Sequence, residues 1–237
     1  MMALPKLDTP TYTLELPSTG EEIKYRPFLV KEQKTLLILQ ESEDKRDIIN
    51  GLQKIVTDCT FDKLNMSKMP IFDFEYLFLK IRCKSVGETA ELNLTCPDDN
   101  VTTVPVTINL DEIDVQVTEE HSDTIKITDN ISMILRWPTV YDVGDVEMTS
   151  DNLVDNVIAL LKKCITQINE GDTIHNRTDM SSEELDEFID SLPTDAFEDV
   201  GKYFETMPQL LHVVNITNPN TKVDSEIVIQ GLESFFE

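Results

Sequence analysis

Glycine is scarce in this chain, seven among 237 residues, and there are only three histidines and one tryptophan. Phosphate-cradling loops, dinucleotide fingerprints, the Gly-x-Ser-x-Gly elbow and the kinase loop all need clustered glycines. The backbone must there take positive φ or approach a ligand closely, and no such cluster is present. His121, His175 and His212 stand apart, with no helical His or carboxylate partner three or four residues on, so a zincin pattern is absent. Asp98-Asp99-Asn100 lacks the glycine and the distant glutamate of a calcium loop. Four cysteines, Cys59, Cys83, Cys96 and Cys164, are too few and too irregular for a disulfide framework and fit free thiols in a reducing compartment. No apolar run approaches the roughly 20 residues that span a bilayer, and Met1–Pro5 has neither the basic nor the apolar part of a signal peptide. The expectation is a cytosolic, non-catalytic protein with no small-molecule substrate and no cofactor.

Basic residues are also few. Lys and Arg number 20 against 45 Asp and Glu, a formal charge of −25. Such a surface repels phosphate backbones and anionic headgroups, which disfavours nucleic acid and membrane as partners and favours basic or neutral proteins. The same excess of carboxylates keeps a protein dispersed. With 40% hydrophobic residues the chain has enough apolar material for a sizeable core.

What is present is a sequence of short periodic segments. Residues 1–29 hold an extended arm and a hairpin, with apolar alternation at Tyr12, Leu14 and Leu16, then Ile23 and Tyr25, around Ser18-Thr19-Gly20. Residues 30–84 read as helices. Leu36, Leu37 and Leu39 weight the first, Ile48, Leu52, Ile55, Val56 and Cys59 form one face of the second, and Phe74, Leu77, Phe78 and Ile81 form a face after Pro70. Residues 85–136 turn to period two, with Ala90, Leu92 and Leu94 opposite Val104, Val106 and Ile108 across the turn Cys96–Asn100. Residues 138–207 read as helical. Leu153, Val157, Leu160, Leu161, Cys164 and Ile168 share a face with Thr149 or Ser150 as cap, a polar loop follows over 169–180, Ser181 and Glu184 have capping-box spacing, and Pro193 opens a last helix. Residues 208–237 hold a final hairpin and an apolar tail. The expected fold is α+β, treated as one domain over 1–237, because no Gly/Ser-rich linker marks a division near residue 120.

Cys83 and Cys96 flank the second hairpin, and Cys96-Pro97 sits at its tip like half of a zinc knuckle. The positions where further ligands would fall hold Asp99, Asn218 and Thr221, so no metal is expected.

Several stretches form a recognisable set: Leu4-Pro5-Lys6-Leu7, Leu16 to Glu32, Tyr76 to Arg82 with Lys84 to Glu88, Asn109 to Ile113, Met207-Pro208 and Gly231 to Phe236. Together they resemble the baseplate hub assembly proteins of T-even-type contractile-tailed bacteriophages. The resemblance implies a protein that helps build the central hub of the tail baseplate, either as a chaperone acting in the host cytoplasm or as a hub subunit in the virion, with hub or tape-measure proteins as partners. The expected anchors are then the two ends, Leu4, Leu7 and Tyr12 on the arm and Leu232, Phe235 and Phe236 on the tail. An acidic mimic of nucleic acid and an unrecognised hydrolase are the readings from other classes.

Overall fold

The computed structural model describes residues 7–42, 44–145 and 153–231, and the anchors Leu4, Leu232, Phe235 and Phe236 and the caps Thr149 and Ser150 lie outside them. Among the described residues seven α-helices and eleven strands, the strands in small antiparallel sheets, make an α+β fold. The chain divides into two compact units, Met1–Gln116 with Gln209–Glu237 as the first and Val117–Pro208 as the second. No Gly/Ser-rich stretch stands at either boundary.

The first unit opens with β1 (Tyr12–Glu15) and β2 (Glu22–Tyr25), paired from Tyr12↔Tyr25 to Glu15↔Glu22. Then come α1 (Val30–Gln40), α2 (Lys45–Cys59) and α3 (Ile71–Val86). Asp44 caps α2 by accepting from the N–H groups of Arg46 and Asp47, and Pro70 caps α3 with extended backbone where a missing donor costs nothing. α3 is buried nearly all round. Its Asp73 is fully buried and accepts from both the N–H and the hydroxyl of Ser18, which ties the first ribbon to the helix; burial pushes the Asp73 carboxyl above its ordinary value. The ribbon β3 (Thr89–Thr95) and β4 (Thr103–Asn109) follows, then a 3-10 turn, Leu110–Glu112, and β5 (Val115–Gln116). Lys80 Nζ donates to the Asp111 carbonyl at 2.5 Å and fixes that turn against α3.

The second unit has a four-stranded sheet in the order β6 (Thr124–Lys126), β7 (Ile131–Leu135), β8 (Ile165–Glu170) and β9 (Thr173–Asn176). The helices are α4 (Val140–Asp145), α5 (Leu153–Cys164), α6 (Ser182–Asp190) and α7 (Thr194–Thr206). Ser181 and Glu184 form the capping box their spacing promises, and Leu185, Ile189, Val200 and Tyr203 pack on Met133, Leu161 and Ile165. One segment corrects the sequence reading. The helix thought to run on to Ile168 stops at Cys164, and the supposed polar loop contains a strand, because Ile165–Glu170 pairs with β7 and turns at Gly171 (φ 56°) into β9. Cys164 and Ile168 lie four apart, as on one helical face, but pairing with β7 overrides that spacing, and Ile165 and Ile168 both reach the core because the register slips between Leu135↔Ile165 and Ile134↔Gln167.

The chain then returns to the first unit as β10 (Gln209–Thr217) and β11 (Asp224–Gln230), with β10 between β11 and β5. Leu210, Val214, Ile216 and Ile229 join Leu79, Cys83, Leu92, Cys96, Ile108, Leu110 and Ile113 in one core.

Candidate partner-binding surface

α1 is the helix that least resembles a core helix. Val30, Leu36, Leu37, Ile38 and Leu39 are spread around it rather than along one stripe, and Glu32 is its one buried residue. Leu37 is 55% exposed and Ile38 69%. The helix is nevertheless anchored. The Glu32 carboxylate accepts from the Leu29 N–H at its own N-terminus and from Arg26 Nη2, both at 2.8 Å, and Arg26 also donates to the Pro27 carbonyl. Burial works to raise the Glu32 carboxyl, but the hydrogen bonds from Arg26, Leu29 and Lys31 outweigh it and bring the pKa down to about 2. Further along, a Cβ on Gly51 of α2 would fall 2.5 Å from Leu39 Cδ1, so the two helices meet closely there.

This anchoring leaves a groove of about 740 Å³ between α1, α2, the C-terminal half of α3 and β3. Leu36, Leu37, Ile48 and Leu52 line it from the first two helices, Phe78 from α3 and Leu92 from β3. Phe28 completes it. Its N–H donates to Ser85 Oγ at 2.8 Å, and its ring stands 5.7 Å from that of Phe78. Arg82 and Glu91 are the charged residues of the lining. An open, mostly apolar trough walled by helices suits the apolar face of a partner helix.

The anchors expected from the sequence divide. Leu7 is 91% exposed and so stands free for contact. Tyr12 lies in β1 with its ring 5.7 Å from Tyr25 and 6.0 Å from Lys84 Nζ, which makes it part of the ribbon's packing as well as a half-exposed surface. In the sequence Leu36, Leu37 and Leu39 count as helical weight, Ile48, Leu52 and Phe78 as helical faces, and Leu92 as part of a strand. The signal that could have found them is the lack of a stripe in Val30–Gln40, since apolar residues on every side of one surface helix cannot all be buried.

All four thiols are buried, and burial pushes Cys59 and Cys164 up to about 12. The two hairpin tips do come together. Asn218 Nδ2 donates to Asp98 and to Asp99 at 3.0 Å, and Thr221 Oγ1 donates to Asp98 at 2.5 Å. Among the described residues no group of three His, Cys, Asp or Glu side chains is placed to hold a metal ion. In the second unit Trp137 Nε1 donates to His121 Nε2 at 2.9 Å, and His121 Nδ1 lies 3.1 Å from Thr206 Oγ1. Indole only donates, so Nε2 carries the lone pair and the proton sits on Nδ1. Burial lowers the imidazole's pKa, with Asp123 acting against it. His175 Nε2 is 3.6 Å from Glu170, and His212 lies on β10.

Among the described residues no helix is long and apolar enough to cross a membrane. Neither a curated protein nor a solved structure matches the chain. One family does, over residues 9–237, nearly the whole length, and on that match this chain belongs to the family described as T4 bacteriophage base plate protein.

Proposed function

We propose that this baseplate-family protein is a non-catalytic assembly factor for the tail baseplate hub. It acts in the host cytoplasm by stoichiometric binding of a hub or tape-measure protein, whose amphipathic helix lies in the groove between α1, α2, α3 and β3. The observation that carries this reading is α1 itself, a helix held by a buried ion pair that nonetheless presents Leu37 and Ile38 to solvent beside an apolar trough. The charge supports it. Copies carrying −25 repel one another, whereas a basic partner is attracted and a neutral one is not repelled, so charge favours a partner in the groove over self-association.

The test is a tagged pull-down from infected cells of the wild-type chain and of Leu37→Asp, with mass spectrometry of the bound fraction and of purified virions. Hub or tape-measure proteins bound by wild type and reduced at least tenfold by L37D, with this chain missing from virions, are the expected results. Fixed copy number in virions would replace the transient factor by a permanent hub subunit. Undiminished capture by L37D would remove the groove from the reading, and capture of a host DNA enzyme alone would overturn the reading altogether.

A further inference from the structure

The β1–β2 ribbon is followed by Arg26, whose N–H donates to the Cys59 carbonyl at 3.0 Å, whose Nη1 donates to the carbonyl of the next residue, and whose Nη2 binds a carboxylate six residues on. The β6–β7 ribbon is followed by Arg136, and every one of these contacts recurs. The Arg136 N–H donates to the Cys164 carbonyl at 2.8 Å, Nη1 to the Trp137 carbonyl at 3.1 Å, and the guanidinium to Asp142, again six residues on. Each carboxylate also accepts an N–H at its helix start, Glu32 from Leu29 and Asp142 from Thr139, both at 2.8 Å. Each accepting cysteine is fully buried and ends a helix, α2 or α5.

The correspondence continues. α3 and α7 are both capped by proline in the same extended backbone, Pro70 at φ −55°, ψ 148° and Pro193 at φ −59°, ψ 151°. Each helix leads to a hairpin, β3–β4 or β10–β11, whose tip has Pro second: Cys96-Pro97-Asp98-Asp99 in one, Asn218-Pro219-Asn220-Thr221 in the other. Both tips close with the N–H of the fifth residue donating to the carbonyl of the first at 2.9 Å, and that fifth residue takes left-handed backbone in each, Asn100 at φ 54° and Lys222 at φ 66°. A non-glycine residue at positive φ is uncommon, and its recurrence at the same place in two hairpins adds to the match.

We infer that the chain carries one module twice, ribbon, arginine lock, two helices, proline-capped helix and hairpin, and that the hairpin tip of each copy is a docking surface whose partner is the tip of the other copy. The first module runs from β1 to β4. The second runs from β6 to β11 and carries an additional piece, β8, β9 and α6, between α5 and Pro193. The tips have diverged into complementary halves. The first offers the carboxylates of Asp98 and Asp99, the second the amide of Asn218 and the hydroxyl of Thr221, and Asn220 Nδ2 donates to Thr102 Oγ1 at 3.0 Å beside them. Two copies of the first tip would set carboxylate against carboxylate, a repulsion that the amide and hydroxyl of the second tip replace with donated hydrogen bonds.

Exchange of the tips in the full-length chain tests this. Writing Asn218–Thr221 into the first tip, or Cys96–Asp99 into the second, is expected to lower Tm by about 3 °C or more, consistent with losing a kcal/mol-scale contact in a chain of this size. Making both replacements together is expected to recover most of that loss. Because a whole-tip exchange disturbs Cys96 in the core, the pair Asp99→Asn and Asn218→Asp reads the same complementarity, with the double variant more stable than N218D alone. Losses that simply add in both series, or single replacements without effect, would overturn the inference.

Discussion

The two units use the same arginine–carboxylate lock at different depths and in different electrical surroundings. In the first, Arg26 and Glu32 are both buried; in the second, Asp142 is buried but the Arg136 side chain is 41% exposed. The first unit has 24 acidic and 14 basic residues, the second 21 acidic and 6 basic in a much shorter stretch. The apolar groove lies in the more balanced unit, and the carboxylate-rich helices α6 and α7 lie in the other. Local hydrogen bonding can thus be kept while the surface around it is put to different use, since the lock depends on a few short contacts and the surface charge does not enter them.

Removing each carboxylate separates the two locks most strongly. Glu32→Ala leaves a buried guanidinium unpaired and is expected to cost about 3–5 kcal/mol. Asp142→Ala leaves Arg136 partly in water and removes a helix-start acceptor, for about 2 kcal/mol. Urea midpoints of the two variants measure the difference, and equal losses would show that burial does not separate the locks.

Acidity separates the units next. Hydrogen bonds outweigh burial at Glu32 and Asp142 and depress both carboxyls, so the stability they supply is present above their ordinary pKa of about 4 and is lost only as pH falls through the lower folded values. His121 behaves differently. Its folded pKa lies below the ordinary 6.5 or so, the unfolded chain takes up the proton first, and stability is lost as pH falls from about 6.5 through the folded value. Protonation also sets a second donor against the Trp137 N–H. Between pH 8 and pH 5 the fall in stability is therefore expected to come from His121, to disappear in His121→Gln, and to be reported by Trp137, the sole tryptophan. A slope unchanged in H121Q would assign it elsewhere.

The smallest stability effects are expected at exposed apolar positions, and there the units should differ in binding. Leu37→Asp in the groove and Ile174→Asp on β9 should each change stability by no more than about 0.5 kcal/mol. Only the former should weaken capture of a hub or tape-measure protein, and equal losses from both would point to a diffuse surface.

Much of the fold was legible along the chain. The alternation of Leu92 with Leu94 and of Val104 with Val106, the cap at Ser181, and Pro70 and Pro193 as helix openers each rest on spacing within a few residues, and each is found where its spacing places it. Ile165–Glu170 was not legible, because Ile165 and Ile168 lie three apart, which is helical spacing, and only the register slip against β7 puts both into the core from a strand. The groove was not legible: its lining comes from three helices and a strand, and neither Leu7 nor Tyr12 is part of it. The exposure of Leu37 depends on where α2 and α3 stand, and His121 meets Trp137 and Thr206 from three separate segments.

Period, capping and charge are properties of neighbouring residues, so the chain alone was enough for the α+β class, the helix starts at Pro70, Ser181 and Pro193, the β1–β2, β3–β4 and β10–β11 hairpins and the excess of acidic charge. Only the tertiary structure decided that Arg26 and Arg136 are the same lock, that Asn218 faces Asp98 and Asp99 across 120 and 119 positions of chain, and that α1 keeps its leucines beside an open groove. Contacts at that separation are fixed by which surfaces the core brings together, and no local pattern records them.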